Sequence, residues 1–184
     1  MMKDCQSPAS AAAIADLAEL FSDRLLSFAS ALDHYGAAES WIASALPDAV
    51  VRPASTEEVA QAMAICHRHG APVIPFGAGS SMEGQVIASA GGITFDLSLM
   101  DRILSVNPED MDCVVQAGLT RQRLNEELRG TGLFFPVEPS TASRCTIGGM
   151  CGNNSSGARS LRFGKTVDNV LAMDGMFHDG ERFS

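Results

Sequence analysis

The chain has 184 residues, 46% of them apolar, and 13 Lys and Arg against 22 Asp and Glu give a formal charge of −9. That length suffices for one ordinary domain with a real core, and the composition excludes a disordered chain. The acidic balance argues against a nucleic-acid partner and leaves Arg159, Arg162 and Lys165 as local anion contacts.

Residues 9–32 place Ile14, Leu17, Leu20, Phe21, Leu25 and Phe28 at three- and four-residue spacing, which predicts an amphipathic helix or a pair of short ones. A connection follows, with Trp41 as its one large anchor and the indole expected to tuck inward. Residues 49–52 read as a strand stopped by Pro53. Ser55 or Thr56 then caps a helix, with Glu58 placed for a capping box. This helix is expected to bury Val59, Met63 and Cys66 and to end at Gly70. "PVIPF" is a short buried strand leading directly into "GAGSSMEG".

Residues 91–97, 103–106 and 112–117 read as strands, with "NPED" a turn between the last two. Thr120 caps a helix over 121–129 whose Leu124 and Leu128 share one face. An extended, Pro-containing stretch then delivers the chain to "TIGGMCGNNSSGARSLRFGK", read as a loop. "NVLAMDGMFHDGERFS" reads as a strand, a turn and a second strand left without a partner, which suggests a piece of a longer protein. The pattern is α+β.

The five cysteines, Cys5, Cys66, Cys113, Cys145 and Cys151, form no CxxC pair, so they are expected to be buried thiols in a reducing compartment with no metal site. No apolar run reaches the roughly eighteen residues of a membrane span. The N-terminus carries Lys3 but neither a signal-peptide core nor an Arg-rich transit pattern. The expected location is cytoplasmic, with a membrane-peripheral or mitochondrial one left open.

Two glycine-rich segments carry the chemistry. In "PFGAGSSMEG", Gly77, Gly79 and Gly84 permit close backbone approach, and Ser80 and Ser81 add hydroxyls. Met82 stands where a dinucleotide fingerprint needs glycine, and no Lys follows as in a P-loop. The segment is either a phosphate cradle built from backbone amides or a tight loop between strands. In the second segment, Gly148, Gly149, Gly152 and Gly157 surround Asn153 and Asn154, both able to adopt left-handed conformations. Ile147 and Met150 would hold this stretch against a core. A serpentine surface loop is the alternative. Together the two segments favour a bipartite site for a large polar cofactor.

The stretches "YGAAESW", "PDAVVRPASTEEVAQ", "PVIPFGAGSSMEG", "GGITFDLSLMDRIL", "DCVVQAGLTRQRLNEEL", "GLFFPVEPS" and "CTIGGMCGNNSSGARSLRFGKTVDNV" follow one another in an order that resembles the FAD-linked oxidases. These are the vanillyl-alcohol-oxidase-like flavoproteins with a PCMH-type FAD-binding domain, and the likeness is nearest to the D-lactate, D-2-hydroxy-acid and glycolate-oxidizing branch. The resemblance implies two small α/β lobes with FAD between them, breaking near residues 96–103. It implies residues 1–48 as an N-terminal helical segment, 49–100 as the first lobe and 101–184 as an incomplete second lobe. Gly77, Ala78, Gly79, Ser80 and Ser81, with Pro75 and Phe76 ahead of them, would wrap the FAD pyrophosphate. Pro139, Ser140, Thr141, Gly148, Gly149, Gly152, Asn153, Ser155, Ser156 and Gly157 would line the flavin and ribityl side.

Covalent members carry histidine where Ser80 stands, so the flavin is expected to be non-covalent. Where the family often has Asp in "YG-x-D-x-S", this chain has Ala38-Glu39-Ser40. The implied chemistry is oxidation of a D-2-hydroxy acid of the D-lactate kind, with electrons leaving through FAD to a cytochrome, quinone or electron-transfer protein. Glycolate and D-2-hydroxyglutarate are alternatives within that class, and a non-enzymatic nucleotide-binding α/β module is the alternative outside it. His34, His67, His69 and His178 form no convergent catalytic set, and the substrate domain is expected beyond this segment.

Overall fold

The computed structural model describes residues 7–184; Lys3 and Cys5 lie outside the described residues. The chain divides into two units, one running to Asp96 and taking in Asp174–Ser184, the other Leu97–Met173.

In the first unit, helix α1 (Pro8–Phe21) starts where the Ser7 hydroxyl accepts a hydrogen bond from the Ser10 N–H, with proline at its first turn. It buries Ala13, Leu17 and Phe21. The apolar spacing runs on, but the helix does not: Ser22 takes φ 46°, and Leu25–Leu26 becomes strand β1 before the short helix α2 (Ala29–Leu32). Antiparallel pairing with strand β2 (Ala49–Val51), Leu25 opposite Val51, draws this segment out of the helix. Trp41 is also unlike its expectation, being 93% exposed. Tyr35 is the buried anchor of this stretch, because its hydroxyl donates to Asp96 at 2.8 Å.

Helix α3 (Thr56–His69) is capped by Ser55, whose Oγ accepts the Glu58 N–H. Glu58 does not close a capping box. Its carboxylate accepts from the Ala54 N–H at 2.7 Å and from both arms of Arg24 at 2.6 and 2.7 Å. The fork holds the Glu58 carboxyl below its ordinary range. The face of α3 that is fully buried carries Ala62 and Cys66, while Val59 and Met63 are half-buried. Gly70 ends the helix in the left-handed conformation.

Strands β3 (Val73–Phe76) and β4 (Ile93–Asp96) complete a sheet of order β1-β2-β4-β3, in which β2, β4 and β3 run parallel. Every residue of the central β4 is buried, as a strand covered on both faces requires.

The second unit opens with a 3-10 turn, Leu97–Leu99, and an antiparallel hairpin of β5 (Ile103–Asn107) and β6 (Asp112–Val115). Thr120 caps α4 (Arg121–Leu128), accepting from the Arg123 N–H. Leu119, Leu124, Leu128, Val137, Cys145, Ile147 and Met150 form the core of this unit. The glycine-rich stretch read as a loop contains two helical pieces, α5 (Ile147–Gly152) and α6 (Ser160–Phe163). Thr146 caps the first, and Ile147 and Met150, three apart, fall on one buried face.

The chain then returns to the first unit. Strand β7 (Gly175–Met176) pairs antiparallel with β8 (Arg182–Phe183), so the terminal strand expected to lack a partner has one. Arg182 meets Glu57 of α3 at 2.6 Å, and the His178 ring lies 4.8 Å from that of His67. Residues 174–184 therefore group with the first unit, whereas the sequence placed them in a lobe of 101–184. Residues 7–48 contribute α1 and β1 to that same unit and are not a separate segment.

Candidate functional site

The first glycine loop leaves the sheet at the carboxyl end of β3, the end where ligands approach parallel sheets. Phe76 pairs in register with Asp96 at the end of β4. Beside them, Tyr35 donates to Asp96 Oδ2, and Arg52, just beyond β2, brings its Nε to 3.3 Å of the same oxygen. Burial first, and then this bond, push the Tyr35 phenol up to about 12, so it stays a neutral donor.

Residues 77–85 are held between two core residues, Phe76 and Val86, which pack with Leu32, Tyr35 and Val50. Gly79 has φ +60°, and a Cβ there would stand 2.7 Å from the Phe76 ring. The loop folds back over its own strand only because that position is glycine. At its far end Gly84 lies against Ile42 and Ser40 of the "YGAAESW" stretch. Pro75 is exposed, Gly77, Ala78, Ser80 and Ser81 are half-buried, and Ser81 donates to Gln85 at 2.7 Å. Gly77 to Ser81 carry no cation, so an anion there would meet only backbone N–H groups and hydroxyls.

In the second unit the structure brings the remaining predicted residues into two touching segments. Gly157 abuts the main chain ahead of Pro139: a Cβ on it would lie 1.9 Å from the Glu138 carbonyl oxygen and 2.8 Å from the Pro139 nitrogen. Pro139, Ser140 and Thr141 turn through bonds from the Ala142 N–H to the Pro139 carbonyl and from the Arg144 and Cys145 N–H groups to that of Thr141. The Ile147 and Gly148 N–H groups bond the carbonyls of Leu119 and Ala117 at 2.8 Å each, and the Gly149 N–H bonds Thr146 Oγ1.

Gly149, Gly152, Asn153 and Ser156 are exposed, Gly148 and Ser155 half-buried. Asn153 keeps a right-handed conformation as the helix cap; only Asn154 is left-handed, at φ +44°. Thr166, 1% exposed, bonds the Ser155 carbonyl through both its N–H and its hydroxyl, and Asn154 accepts the Val167 N–H. Gly152 differs from its neighbours. A Cβ there would meet nothing within 4 Å, so the chain itself does not require glycine. The bare backbone leaves room for a planar group to lie against it.

Sequence reasoning missed three side chains that fasten these segments, Arg121, Glu138 and Thr166. Arg121, at the start of α4 and nearly buried, donates through Nε to the Val137 carbonyl at 3.1 Å and brings Nη1 to 3.6 Å of Glu138 Oε1. Arg159 Nε lies 3.0 Å from Glu138 Oε2. Arg159, read as an anion contact, thus already has a carboxylate of its own chain. Thr166 is the third. A hydrophilic residue of 1% exposure leaves no mark in hydropathy, and the arginines look like surface charge until the turn is folded.

Cys66 is pushed up to about 12 by burial, and burial also raises Cys113, Cys145 and Cys151. Among the described residues no group of three or more His, Cys, Asp or Glu could hold a metal ion. His69 bonds Asp16 at 2.8 Å, His67 and His178 pack on one another, and His34 packs edge-on against Tyr35 and Phe76. Among the described residues no helix is long and apolar enough to cross a membrane.

The family described as "FAD binding domain" matches residues 47–184. A protein named "Probable D-lactate dehydrogenase, mitochondrial" from Danio rerio is 44% identical over 135 residues, 73% of this chain and 27% of that protein. "D-2-hydroxyglutarate dehydrogenase" from Escherichia coli (strain K12) is 40% identical over 140 residues, 74% of this chain and 14% of that protein. A solved alkyldihydroxyacetonephosphate synthase superposes with a TM-score of 0.82 at 24% identity, covering 92% of this chain and 36% of the other, a likeness of fold. The chain spans between 14% and 27% of the length of the two curated relatives.

Proposed function

This chain belongs to the FAD binding domain family, with FAD as its cofactor, and on that premise we propose that it is the FAD-binding part of a dehydrogenase oxidizing a D-2-hydroxy acid. The observation that carries the reading is the glycine at position 152, which packing does not demand, in a segment otherwise tightly fastened to its unit. Such a cradle fits a flat ring laid against backbone. The names of the two curated relatives, both dehydrogenases of D-2-hydroxy acids, support the substrate class.

In this reading Gly77, Ala78, Gly79, Ser80 and Ser81 hold the pyrophosphate through N–H groups and hydroxyls, following Pro75 and Phe76. Pro139 to Thr141 and Gly148 to Gly157 orient the ring and exclude water from one side of it. Bound FAD supplies the two-electron acceptor that no side chain can. Ser80 offers no imidazole for a covalent link, so the flavin is held by contacts alone. The base and the carboxylate-binding cations lie in the remainder of a longer protein, which hands electrons to a cytochrome, quinone or other electron carrier. The histidines support this, since His69 is engaged with Asp16 and His67 and His178 with each other.

The test is a graft of residues 47–184 in place of the matching segment of the Danio rerio relative. The expected chimera retains FAD, releases it unchanged on denaturation and oxidizes D-lactate or D-2-hydroxyglutarate. A folded chimera that rejects FAD would overturn the cofactor site; one that holds FAD yet fails to take electrons from D-lactate, as the unaltered relative does, would overturn the reading of this chain as the FAD-binding part of such a dehydrogenase.

A further inference from the structure

Glu138 is gripped from three directions. Arg121 approaches one carboxylate oxygen at 3.6 Å and Arg159 the other at 3.0 Å, while the carbonyl of the same residue lies against Gly157. The two arginines come from distant points in the chain. Arg121 begins α4, and its own N–H bonds the Cys145 carbonyl at 3.0 Å while its Nε bonds that of Val137. One residue thereby pins both ends of the turn, by its main-chain N–H at Cys145 and by its side chain at Val137. Arg159 follows the "NNSSG" stretch, and its guanidinium sits 5.7 Å above the Phe134 ring, which fixes its direction.

We propose that Glu138, clamped by Arg121 and Arg159, is a positioning residue that sets the spacing between the Pro139–Ser140–Thr141 turn and the Gly152–Gly157 stretch, and so the fit of the cofactor. This rests on the reading that those two segments line the flavin. The physical reason is charge. Two guanidinium groups, at 3.0 and 3.6 Å, attract the two oxygens of one partly exposed carboxylate and so bias where it sits. The two segments share no covalent neighbour, and glycine at 157 lets them touch without itself holding them. The clamp supplies the holding.

The experiment titrates FAD into the whole 184-residue chain, followed by quenching of its single tryptophan, Trp41, and by the visible spectrum of the bound flavin. Apo-protein unfolding is recorded alongside. Glu138→Gln keeps the shape and removes the charge, and its FAD affinity is expected to fall about threefold, the scale of a partly exposed ion pair. The bound-flavin spectrum shifts as its surroundings loosen, and the double variant Glu138→Gln with Arg159→Gln binds no more weakly than the single one. Arg121→Lys, which keeps the charge but loses the fork, gives a smaller loss. Wild-type binding together with unchanged affinity and spectrum in Glu138→Gln overturns the clamp alone. No FAD uptake by the wild-type chain overturns the cofactor reading and the clamp with it. Should Glu138→Gln fail to fold, Arg159→Gln, with a half-exposed side chain, carries the same expectation, and wild-type affinity there overturns the clamp.

Discussion

The two glycine-rich stretches use the same residue for opposite ends. In the first, Gly79 answers to its own chain, since its left-handed backbone and the Phe76 ring beneath it admit nothing larger. In the second, Gly157 leaves no room for a Cβ beside the Glu138 carbonyl, while a Cβ on Gly152 would meet nothing within 4 Å. A count of glycines treats these as equivalent. The contacts sort them into glycines that the packing requires and one, Gly152, that it does not.

Substitutions break the comparison apart in order of effect. Gly157→Ala drives a methyl into a carbonyl that is part of the backbone, so the expected loss is about 3 kcal/mol, the upper end of overpacking, measured by chemical denaturation. Stability within about 1 kcal/mol of wild type would remove the close approach from the account. Gly79→Val combines a positive φ with collision against Phe76, and about 2 kcal/mol and flavin retention are expected to go together. Loss of FAD from this variant is thus no proof of contact with the pyrophosphate, because the loop itself is altered. Gly152→Ala sharpens the contrast. Replacing a helical glycine facing open space should leave stability unchanged or raise it by up to about 1 kcal/mol, yet weaken FAD binding. A variant of wild-type FAD affinity would take Gly152 out of the site.

Much of this frame was legible in the sequence, for reasons that are local. Ser55 and Thr120 cap their helices, Gly70 ends one, and Ile147 and Met150 reach the core, all through interactions spanning a few residues. What escaped was long-range. Leu25 and Leu26 keep helical spacing but pair with a strand some two dozen residues later, and Glu58 left its capping box for Arg24. Trp41 looked like an anchor by size alone, while Tyr35 had the hydroxyl that a buried carboxylate could bind. Among the residues proposed for the site, the glycines and asparagines stand out in the sequence by type. Arg121, Glu138 and Thr166 did not, since their roles come from partners that only the folded turn supplies.

The return of the chain to its first unit has a consequence for biosynthesis. A ribosome delivers Leu97–Met173 before Asp174–Ser184 emerges, so the first unit still lacks the β7–β8 hairpin when those residues of the second have been made. Until then Glu57 and His67 on α3 wait without Arg182 and His178. The order of synthesis thus splits the first unit around the second, and its α3 contacts wait on residues made later.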